Sequence, residues 1–367
     1  MNTSALVDVE DVRTGVDALL RDHLATSRAA LGSGYGADAL PLLDATDVLL
    51  SGGKRLRAAF AYWGWRAHGG NPAAPTPAHH VGAALELFQA AALFHDDVMD
   101  NSDTRRGAPT AHLAFAARHR AAGWIGSPEQ FGLSAAILLG DLALVASEDL
   151  LHHGLRDVPD PTTRRRTRDI FAQMRTEVTV GQYLDMLSQT VPWDDDHAGA
   201  ERRARHVIRA KSARYSVEHP LTMGTALAGG SPEQIAAIAR VGLPLGEAFQ
   251  LRDDVLGVFG DPAVTGKPAG DDLREGKRTV LVVRAVAAAT PAERATIHRD
   301  LGRLDLDDAE IDRLRDIIVG TGALASVDGL VDELATKALA DLDTLDLDPE
   351  ARTMIRRLGG AAVARHA

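Results

Sequence analysis

Apolar residues recur along most of this chain at the spacing of α-helices, and no series of segments shows the alternation of β-strands. The best-marked helix begins at Ser231, with Pro232 at its first position and Gln234 at the third, which is an N-terminal capping pattern. A second helix is predicted from about Pro77 to Asp100 and is apolar on nearly every side. Such helices normally lie in the middle of a bundle. The pattern therefore predicts an all-α fold.

Breaks rich in Gly, Pro and polar residues separate the predicted helices. They fall at residues 69–77, 123–132, 157–163, 191–199 and 260–276. We interpret them as loops between helices, not as linkers between domains. The length of 367 residues allows either two average domains or one large one. We expect a single domain over 1–367, with the motif-bearing core at about 45–285 and further helices in 286–367.

Composition and charge narrow the range of functions. With 45% apolar and 25% charged residues, the chain has the balance of a folded globular protein. Its 40 Lys and Arg against 51 Asp and Glu give a formal charge of −11, which disfavours nucleic-acid partners and anionic membranes. The absence of Cys excludes disulfides and thiol chemistry. Residues 1–10 lack a signal-peptide pattern and no stretch looks able to span a bilayer, so we expect a cytoplasmic protein without membrane insertion.

Three aspartates close the predicted helix that ends at Asp100, within Leu-Phe-His-Asp-Asp-Val-Met-Asp-Asn at residues 93–101. At about 3.6 residues per turn, Asp96 and Asp100 share a face roughly 6 Å apart, with Asp97 beside them. The three charges repel one another and meet the negative end of the helix dipole, so cations must compensate them. Grouped carboxylates suit Mg²⁺, which leaves positions for water and substrate phosphates. The alternative is an acidic helix end in solvent, but apolar helices more often end in basic residues.

A second acidic pair ends the other long helix. The sequence Gln250-Leu-Arg-Asp253-Asp254-Val-Leu-Gly257 repeats the adjacent carboxylates, but Gly257 stands where the first cluster has its third aspartate. One cluster alone is weak evidence for a metal site. Two clusters at the ends of two core helices can face one cavity from opposite walls, and this is the arrangement we expect.

Basic residues accompany both clusters. In Gly-Gly-Lys-Arg-Leu-Arg, Lys54 and Arg57 share a face if a helix starts there, and the two glycines allow close approach. A single basic residue is more often a solvated surface cation than a ligand. As a set beside carboxylate clusters, however, they indicate a diphosphate, because carboxylates reach phosphate only through metal ions. The other members of the set are Arg105, Arg106, Lys211, Lys267 and Lys277.

The order of these motifs resembles that of the trans-prenyltransferases, or polyprenyl synthetases, which include the farnesyl and geranylgeranyl diphosphate synthases. The resemblance covers roughly residues 45–285. Beside the stretches quoted above, it includes Arg-Arg-Gly after the first cluster and, in order, Gly140-Asp141, Gly181-Gln182-Tyr-Leu-Asp185, Lys211-Ser212 and Thr-Gly-Lys267-Pro. Chance does not explain so many motifs in the right order.

The resemblance implies a large helical bundle around a central cavity, a homodimer, and roles for individual residues. It implies three Mg²⁺ ions on an allylic diphosphate, held by Asp96, Asp97, Asp100, Asp253 and Asp254. Positions that match contacts to the same diphosphate are Arg105, Lys211 and Lys267. Positions that match the isopentenyl diphosphate site are Lys54, Arg57, Gln89 and Arg106. Further substrate-binding positions are Gln182, Asp185, Ser212, Gln250 and Lys277.

Three positions bear on how well the pattern is matched. Gly257 leaves open which water or carboxylate completes the second metal shell. Asp261 lies two turns beyond the acidic pair, about 12 Å along a continued helix, so it could help only if the helix bends. His95 could act as a base, but we interpret it as a packing residue, because the resemblance implies that the departing diphosphate takes the proton.

Helix geometry also bears on the length of the product. A prenyl tail that runs from the metals toward the helix N-terminus passes Ala92 and Ala91, which are too small to stop it. Phe88, about 12 Å away on the same face, could form a floor, followed by Leu85 one turn deeper. The alternative is that Phe88 is simply core. We expect a geranylgeranyl product, with farnesyl or longer prenyl diphosphates as alternatives.

Other functions share some of these features. A class I terpene cyclase would also use magnesium and an Asp-rich helix end, but it would not need a second acidic pair or the basic set around Lys54. A non-catalytic subunit of a mixed synthase dimer would be expected to lose its acidic clusters. An acidic helical scaffold protein would leave the paired motifs unexplained.

Overall fold

The computed structural model describes residues 3–261 and 270–364, and within them helices account for nearly all regular structure. The helices up to residue 155 are α1 Thr3–Val7, α2 Val12–Tyr35, α3 Leu40–Ser51, α4 Leu56–Ala67, α5 Thr76–Met99, α6 Ala111–Ala121 and α7 Pro128–Leu155. Short 3₁₀ turns at Val9–Asp11 and Ala37–Ala39 join the first three. The all-α prediction is confirmed.

The remaining helices continue this pattern to the C-terminus. They are α8 Pro161–Thr190, α9 His197–Val207, α10 His219–Leu227, α11 Pro232–Phe259, α12 Asp271–Arg274, α13 Val280–Ala288, α14 Pro291–Asp300, α15 Asp308–Gly320, α16 Ala323–Asp343 and α17 Pro349–Val363. A π-helix, Ile208–Glu218, joins α9 to α10. The predicted start of a helix at Pro232 is confirmed, whereas nothing in the sequence pattern predicts the π-helix.

The chain divides into two compact units. The first comprises Met1–Arg168, Met223–Ser231 and Asp348–Ala351. The second comprises Asp169–Thr222, Pro232–Leu347 and Arg352–Ala367. The first acidic cluster therefore belongs to one unit and the second cluster to the other. Whether the whole chain works as a single domain stays a prediction.

In the first unit, α5 forms the centre of the core. It packs against α2, α4 and α7. Leu85, Leu87 and Phe88 are all buried, which agrees with the prediction of a helix that is apolar on nearly every side. Burial of each such side chain contributes about 1.5–3 kcal/mol, so this packing fixes the position of the acidic end of α5.

Helix α7 departs from one expectation. By length and composition alone, this helix could cross a membrane. In its most apolar stretch of 18 residues, 39% is buried inside the structure. The prediction that no stretch is long and apolar enough was therefore wrong. The same helix packs against α5 and α6. Its exposed apolar residues include Phe131, Leu138 and Val145, spaced seven residues apart.

A small β-hairpin interrupts the helices directly after α5. Strand β1, Thr104–Arg105, pairs antiparallel with β2, Ala108–Pro109. Arg106 and Gly107 between them both have positive φ, of 55° and 77°, as the two central residues of a type I′ turn do. The helical pattern of the sequence did not predict this hairpin, although Arg105 and Arg106 were recognised as candidate ligands.

In the second unit, α11 is the central helix. It packs against the π-helix and α16, and it also contacts α12 and α13. Leu245, Leu251 and Val255 are buried along it. The acidic pair at its end is thus supported by a core helix, as the sequence predicts.

Candidate active site

The first acidic cluster lies at the C-terminal end of α5. The backbone N–H of Asp100 donates to the carbonyl of Asp96 at 2.8 Å, so helical geometry continues to the third aspartate. Asn101, with φ of 52°, then ends the helix. Asp97 is 2% exposed. The three aspartates therefore stand on one helical turn, in the spacing that the sequence predicts.

Arg105 neutralises part of this charge from strand β1. Its guanidinium donates to Asp97 at 2.8 and 2.5 Å and lies 3.4 Å from a carboxylate oxygen of Asp96. The hairpin therefore places the guanidinium of Arg105 beside the acidic end of α5. Since charged hydrogen bonds of this kind are the strong ones, Arg105 fixes the orientation of Asp97.

Arg106 belongs to a group of four arginines in the first unit. Its side chain donates to the carbonyl of Leu49. Partial burial lowers the pKa of Arg106, the nearby charge of Glu86 raises it, and the charges of Arg55, Arg105 and Arg57 lower it. Arg106 therefore lies among other cations of the first unit.

The position of Lys54, in the segment before α4, differs from the prediction. The helix begins at Leu56, after Arg55 in the left-handed region at φ 55°, so Lys54 precedes the helix and does not share a turn with Arg57. Lys54 is exposed. Arg55, which the sequence analysis passed over, is 5% exposed and donates to Asp17 at 2.7 Å and to Glu86 at 3.1 Å. Arg55 therefore anchors the loop that carries Lys54.

The ring of His95 contacts helix α7. Its ring Nε2 lies 3.1 Å from the carbonyl of Ile137 and 3.3 Å from a carboxylate oxygen of Asp141. A Cβ added at Gly140 would lie 2.2 Å from the same ring atom. Gly140 therefore makes room for His95, which explains the Gly140-Asp141 motif.

The residues proposed to set product length line α5 below the aspartates. Leu85, Phe88 and Ala91 are buried, and Ala92 and Gln89 are partly exposed. A column of two small residues above a phenylalanine is thus present in the folded helix.

The second acidic cluster has a different environment at the end of α11. Asp254 is 7% exposed and accepts a hydrogen bond of 2.8 Å from the side-chain amide of Gln250. Burial, followed by the charges of Asp272 and Asp253, raises the pKa of Asp254 to about 8, against the lowering effects of Gln250 and Lys277. Asp272 thus affects Asp254 more than the adjacent Asp253 does.

The predicted residues on α8 and the π-helix come together in the same unit. Lys211 forms an ion pair with Asp185 at 2.7 Å. A Cβ at Gly181 would lie 2.4 Å from the backbone nitrogen of Lys211, so glycine is needed for the two helices to approach. The side-chain amide nitrogen of Gln182 is buried and, within the described residues, has no hydrogen-bond partner.

Ser212 connects the π-helix to the second cluster. Its hydroxyl donates to the side-chain oxygen of Gln250, whose amide in turn donates to Asp254. Ser212, Gln250 and Asp254 therefore form one polar chain. The sequence predicted all three residues, but their direct connection depends on the tertiary fold.

The third position of the second cluster is filled from elsewhere. A Cβ added at Gly257 would lie 1.9 Å from a carboxylate oxygen of Asp272, a residue of α12 that the sequence analysis did not single out. Lys277 Nζ lies 3.6 Å from Asp272 and contacts Glu275. Asp261 is exposed and lies beyond the end of α11. Lys267, predicted to bind the diphosphate, lies outside the described residues.

Comparison with known proteins decides between the alternatives. Residues 41–318 match the polyprenyl synthetase family. The chain belongs to the polyprenyl synthetase family. It is therefore a trans-prenyl diphosphate synthase, which confirms the resemblance in the sequence.

Individual polyprenyl synthetases align over most of the chain. Geranylgeranyl diphosphate synthase of Mycobacterium tuberculosis is 33% identical over 308 residues, 82% of this chain and 77% of that one. Geranylfarnesyl diphosphate synthase of Aeropyrum pernix is 32% identical over 277 residues, 76% of this chain and 79% of that one.

A solved structure extends the comparison to the fold. Geranylgeranyl pyrophosphate synthase of Corynebacterium glutamicum, complexed with isoprenyl diphosphate and magnesium, is 40% identical to this chain. The TM-score is 0.88, over 97% of this chain and 100% of that one. The helical architecture of this polyprenyl synthetase is therefore that of the isoprenyl synthases.

The donor set of this polyprenyl synthetase fits magnesium. Across residues 3–261 and 270–364, no three acidic or histidine side chains converge closely enough to hold an ion alone. Magnesium in proteins uses one or two carboxylates and takes its other ligands from water and substrate phosphates. The paired carboxylates at Asp96 and Asp97, and at Asp253 and Asp254, supply hard oxygen donors of this kind. Each pair thus suits magnesium ions whose other ligands are water and phosphate oxygens.

Proposed function

We propose that this polyprenyl synthetase joins isopentenyl diphosphate head to tail with an allylic diphosphate and releases geranylgeranyl diphosphate. The observation that carries the proposal is that each of two core helices ends in paired aspartates with basic side chains beside them. The names of the relatives from Mycobacterium tuberculosis and Corynebacterium glutamicum support the same product. An enzyme that holds two diphosphates needs both sets of charges.

We assign the acidic residues and one group of cations to the allylic diphosphate. Magnesium, in three ions per site, would stabilise the negative charge that grows on this group as its bond to carbon breaks. The residues that would hold the ions are Asp96, Asp97, Asp100, Asp253 and Asp254. Arg105, Lys211 and Lys267 would donate to the phosphate oxygens. Arg105 pairs with Asp97 at the acidic end of α5, and Lys211 pairs with Asp185 on α8.

The remaining basic residues are assigned to isopentenyl diphosphate. Arg106 and Arg57 belong to the arginine group of the first unit, and Lys54 is exposed on the loop that Arg55 anchors. Gln89, on α5, is the fourth member of this site. Fixed cations hold the diphosphate of the nucleophile, so that its double bond can be placed beside the ionising carbon.

The reaction itself requires little acid or base chemistry from the protein. Cleavage of the allylic bond leaves a carbocation, the double bond of isopentenyl diphosphate attacks it, and loss of a proton regenerates an allylic product. Gln182 and Gln250 would line this region, with neutral amides that do not compete with the double bond as nucleophiles. The departing diphosphate is the proposed acceptor of the proton.

Product analysis tests the function directly. We expect the purified protein with Mg²⁺, labelled isopentenyl diphosphate and an allylic primer to give a twenty-carbon diphosphate by mass spectrometry. Hydrocarbon released from geranylgeranyl diphosphate alone would favour a cyclase instead. No turnover with any allylic primer would favour a non-catalytic subunit.

We assign the floor of the product cavity to Phe88. In Phe88→Ala the tail can extend toward Leu85, so we expect products longer than twenty carbons. Leu87→Ala is the matched control, because it removes a buried side chain from the neighbouring face of the same helix. Each truncation costs about 2–5 kcal/mol of stability, so products are compared at a temperature where both variants remain folded. An unchanged product from Phe88→Ala would remove Phe88 from this role.

We propose that the protein is a cytoplasmic homodimer that pairs through the exposed face of α7. Phe131, Leu138 and Val145 recur every seven residues, which places them on one helical stripe suited to a second helix. A second copy would cover the apolar surface that gives α7 its membrane-like composition. Leu138→Glu should yield a monomer by light scattering, whereas Asp169→Asn should leave the dimer intact.

A further inference from the structure

The two acidic clusters differ at one position. In the first, Asp100 follows Asp96 by one helical turn, and in the second, Gly257 follows Asp253 by the same interval. If the second cluster needs a third carboxylate, α11 does not provide it at that position.

The side-chain space at Gly257 is nevertheless filled. A Cβ built on Gly257 would lie 1.9 Å from Oδ2 and 2.5 Å from Cγ of Asp272. Both distances are far below any normal contact. The carboxylate of Asp272 therefore occupies the volume that a side chain at position 257 would take, and the glycine is what admits it.

The backbone around α12 fixes Asp272 in this position. Gly270, with φ of 78°, starts the short helix. Leu273 is 1% exposed, and its carbonyl accepts a hydrogen bond of 2.9 Å from the backbone N–H of Gly302. The carbonyl of Asp272 accepts another of 3.0 Å from Lys277. The carboxylate is thus presented to α11 by a segment held on both sides.

Asp272 shares the ammonium of Lys277 with Glu275. The ammonium of Lys277 lies 3.6 Å from Asp272 but contacts Glu275 more closely. The side chain of Asp272 is 14% exposed, so its charge is largely removed from water. One ammonium thus faces two largely buried carboxylates, and a divalent cation would compensate the remaining charge.

We propose that Asp272 supplies, from α12, the third carboxylate of the second aspartate motif, and that it helps Asp253 and Asp254 to hold a divalent cation. Gly257 and Asp272 then form a complementary pair, in which the carboxylate has moved from one helix to another. The inference rests on the proposed magnesium site and adds a residue to it.

A measurement of metal affinity tests the role of Asp272 separately from catalysis. The probe is Mn²⁺ with inorganic pyrophosphate, followed by electron paramagnetic resonance in the purified full-length protein. Loss of a residue that supports metal ligands typically costs roughly 10-fold to 100-fold in metal affinity, so we expect Asp272→Asn to weaken Mn²⁺ binding by that factor. The Mg²⁺ concentration that gives half-maximal activity should rise in parallel.

Variants that return the carboxylate to position 257 test whether Gly257 and Asp272 form a complementary pair. Gly257→Asp alone should clash with Asp272 and weaken metal binding. Combined with Asp272→Ala, which vacates the space, Gly257→Asp should recover much of the affinity that Asp272→Ala alone loses. If the double variant does not fold, as judged by circular dichroism, Asp272→Asn decides the question.

Two matched variants separate the possible outcomes. Asp271→Asn removes the same charge from the adjacent residue of α12 and should change Mn²⁺ affinity little. An equal loss in Asp271→Asn and Asp272→Asn, or wild-type affinity in Asp272→Asn, would overturn the proposal. Asp253→Asn should bind fewer Mn²⁺ ions than the wild type, and an unchanged number of bound ions would mean that the proposed metal site at the second cluster is wrong.

Discussion

The two acidic clusters place carboxylates at helix ends in different ways. On α5, all three aspartates come from one helical turn, and Arg105 returns on a hairpin to pair with Asp97. On α11, two aspartates come from the helix, and the carboxylate of Asp272 fills the place of the third. The regular spacing of an α-helix is sufficient to bring the carboxylates of the first cluster together. The second cluster also needs packing between two helices to bring its carboxylates together.

The groups that compensate the charge differ as well. Arginine meets the carboxylates of the first cluster, whereas the amide of Gln250 meets Asp254 in the second. An amide carries no net charge, so Gln250 orients Asp254 without neutralising it.

The largest effect should come from removing one aspartate of each cluster. Asp96→Asn and Asp253→Asn should each lower kcat roughly a thousandfold, because each removes a group that stabilises charge on the departing diphosphate. Initial rates with both substrates measure this. Asp103→Asn, at an exposed position just after the first cluster, is the control and should keep nearly full activity. A loss confined to Asp96→Asn would show that the clusters are not equivalent.

The next effect isolates the polar chain of the second cluster. Gln250→Leu removes the donor to Asp254, and such a loss costs about 1–3 kcal/mol, or roughly 5-fold to 150-fold in rate. Ser212→Ala removes only the neighbour of Gln250, so we expect roughly a fivefold loss. Single-turnover rates at saturating Mg²⁺ test both variants. A greater loss in Ser212→Ala than in Gln250→Leu would contradict this order.

The first cluster was more predictable from sequence than the second. The spacing of Asp96, Asp97 and Asp100 on a predicted helix fixes their relation, because α-helical geometry is regular. The contact between Gly257 and Asp272 joins residues fifteen positions apart on separate helices, and no local rule predicts it. The absence of a third carboxylate on α11 is therefore evident from the sequence, whereas the position of Asp272 beside Gly257 is evident only from the fold.

The basic residues show the same limit. The sequence identifies Arg57 and Arg106 by motif, and the structure places both in one arginine group. The sequence did not predict that Arg55 would turn inward and pair with Asp17 and Glu86, because these partners lie on other helices. Lys54 consequently sits before α4 instead of on its first turn.

A smaller effect should distinguish two glycines that support the clusters. A Cβ at Gly181 would meet the backbone of Lys211, which cannot move without shifting the π-helix, whereas a Cβ at Gly140 would meet the ring of His95. Side chains can rotate away and backbone cannot. We expect Gly181→Ala to cost about 1–3 kcal/mol and Gly140→Ala less, measured by denaturant unfolding. Equal costs would mean that the His95 ring is as fixed as the backbone.

The smallest effect concerns an ion-pair group that ties α8 to the π-helix. Glu177 lies 2.9 Å from Arg214 and 2.8 Å from His219. Burial raises the pKa of Glu177, but hydrogen bonds from His219 and Gln173 and the charges of His219 and Arg214 lower it to about 2. Because the folded-state pKa is depressed from the ordinary 4.5, this stabilisation is present above that value and is lost as the pH falls toward 2.

The variant Glu177→Gln should show this dependence as a difference from the wild type. At neutral pH we expect it to be less stable by about 1 kcal/mol, since solvent screens these partly exposed charges. The gap should close as the pH falls from 4.5 toward 2, because the wild-type carboxyl is then protonated as well. Thermal unfolding of both proteins over this range measures the gap, and Asp169→Asn on the same helix should show none. A stability difference that stays constant with pH would mean that Glu177 acts through packing and not through its charge. The position of the π-helix, which carries Lys211 and Ser212, would then not depend on that charge.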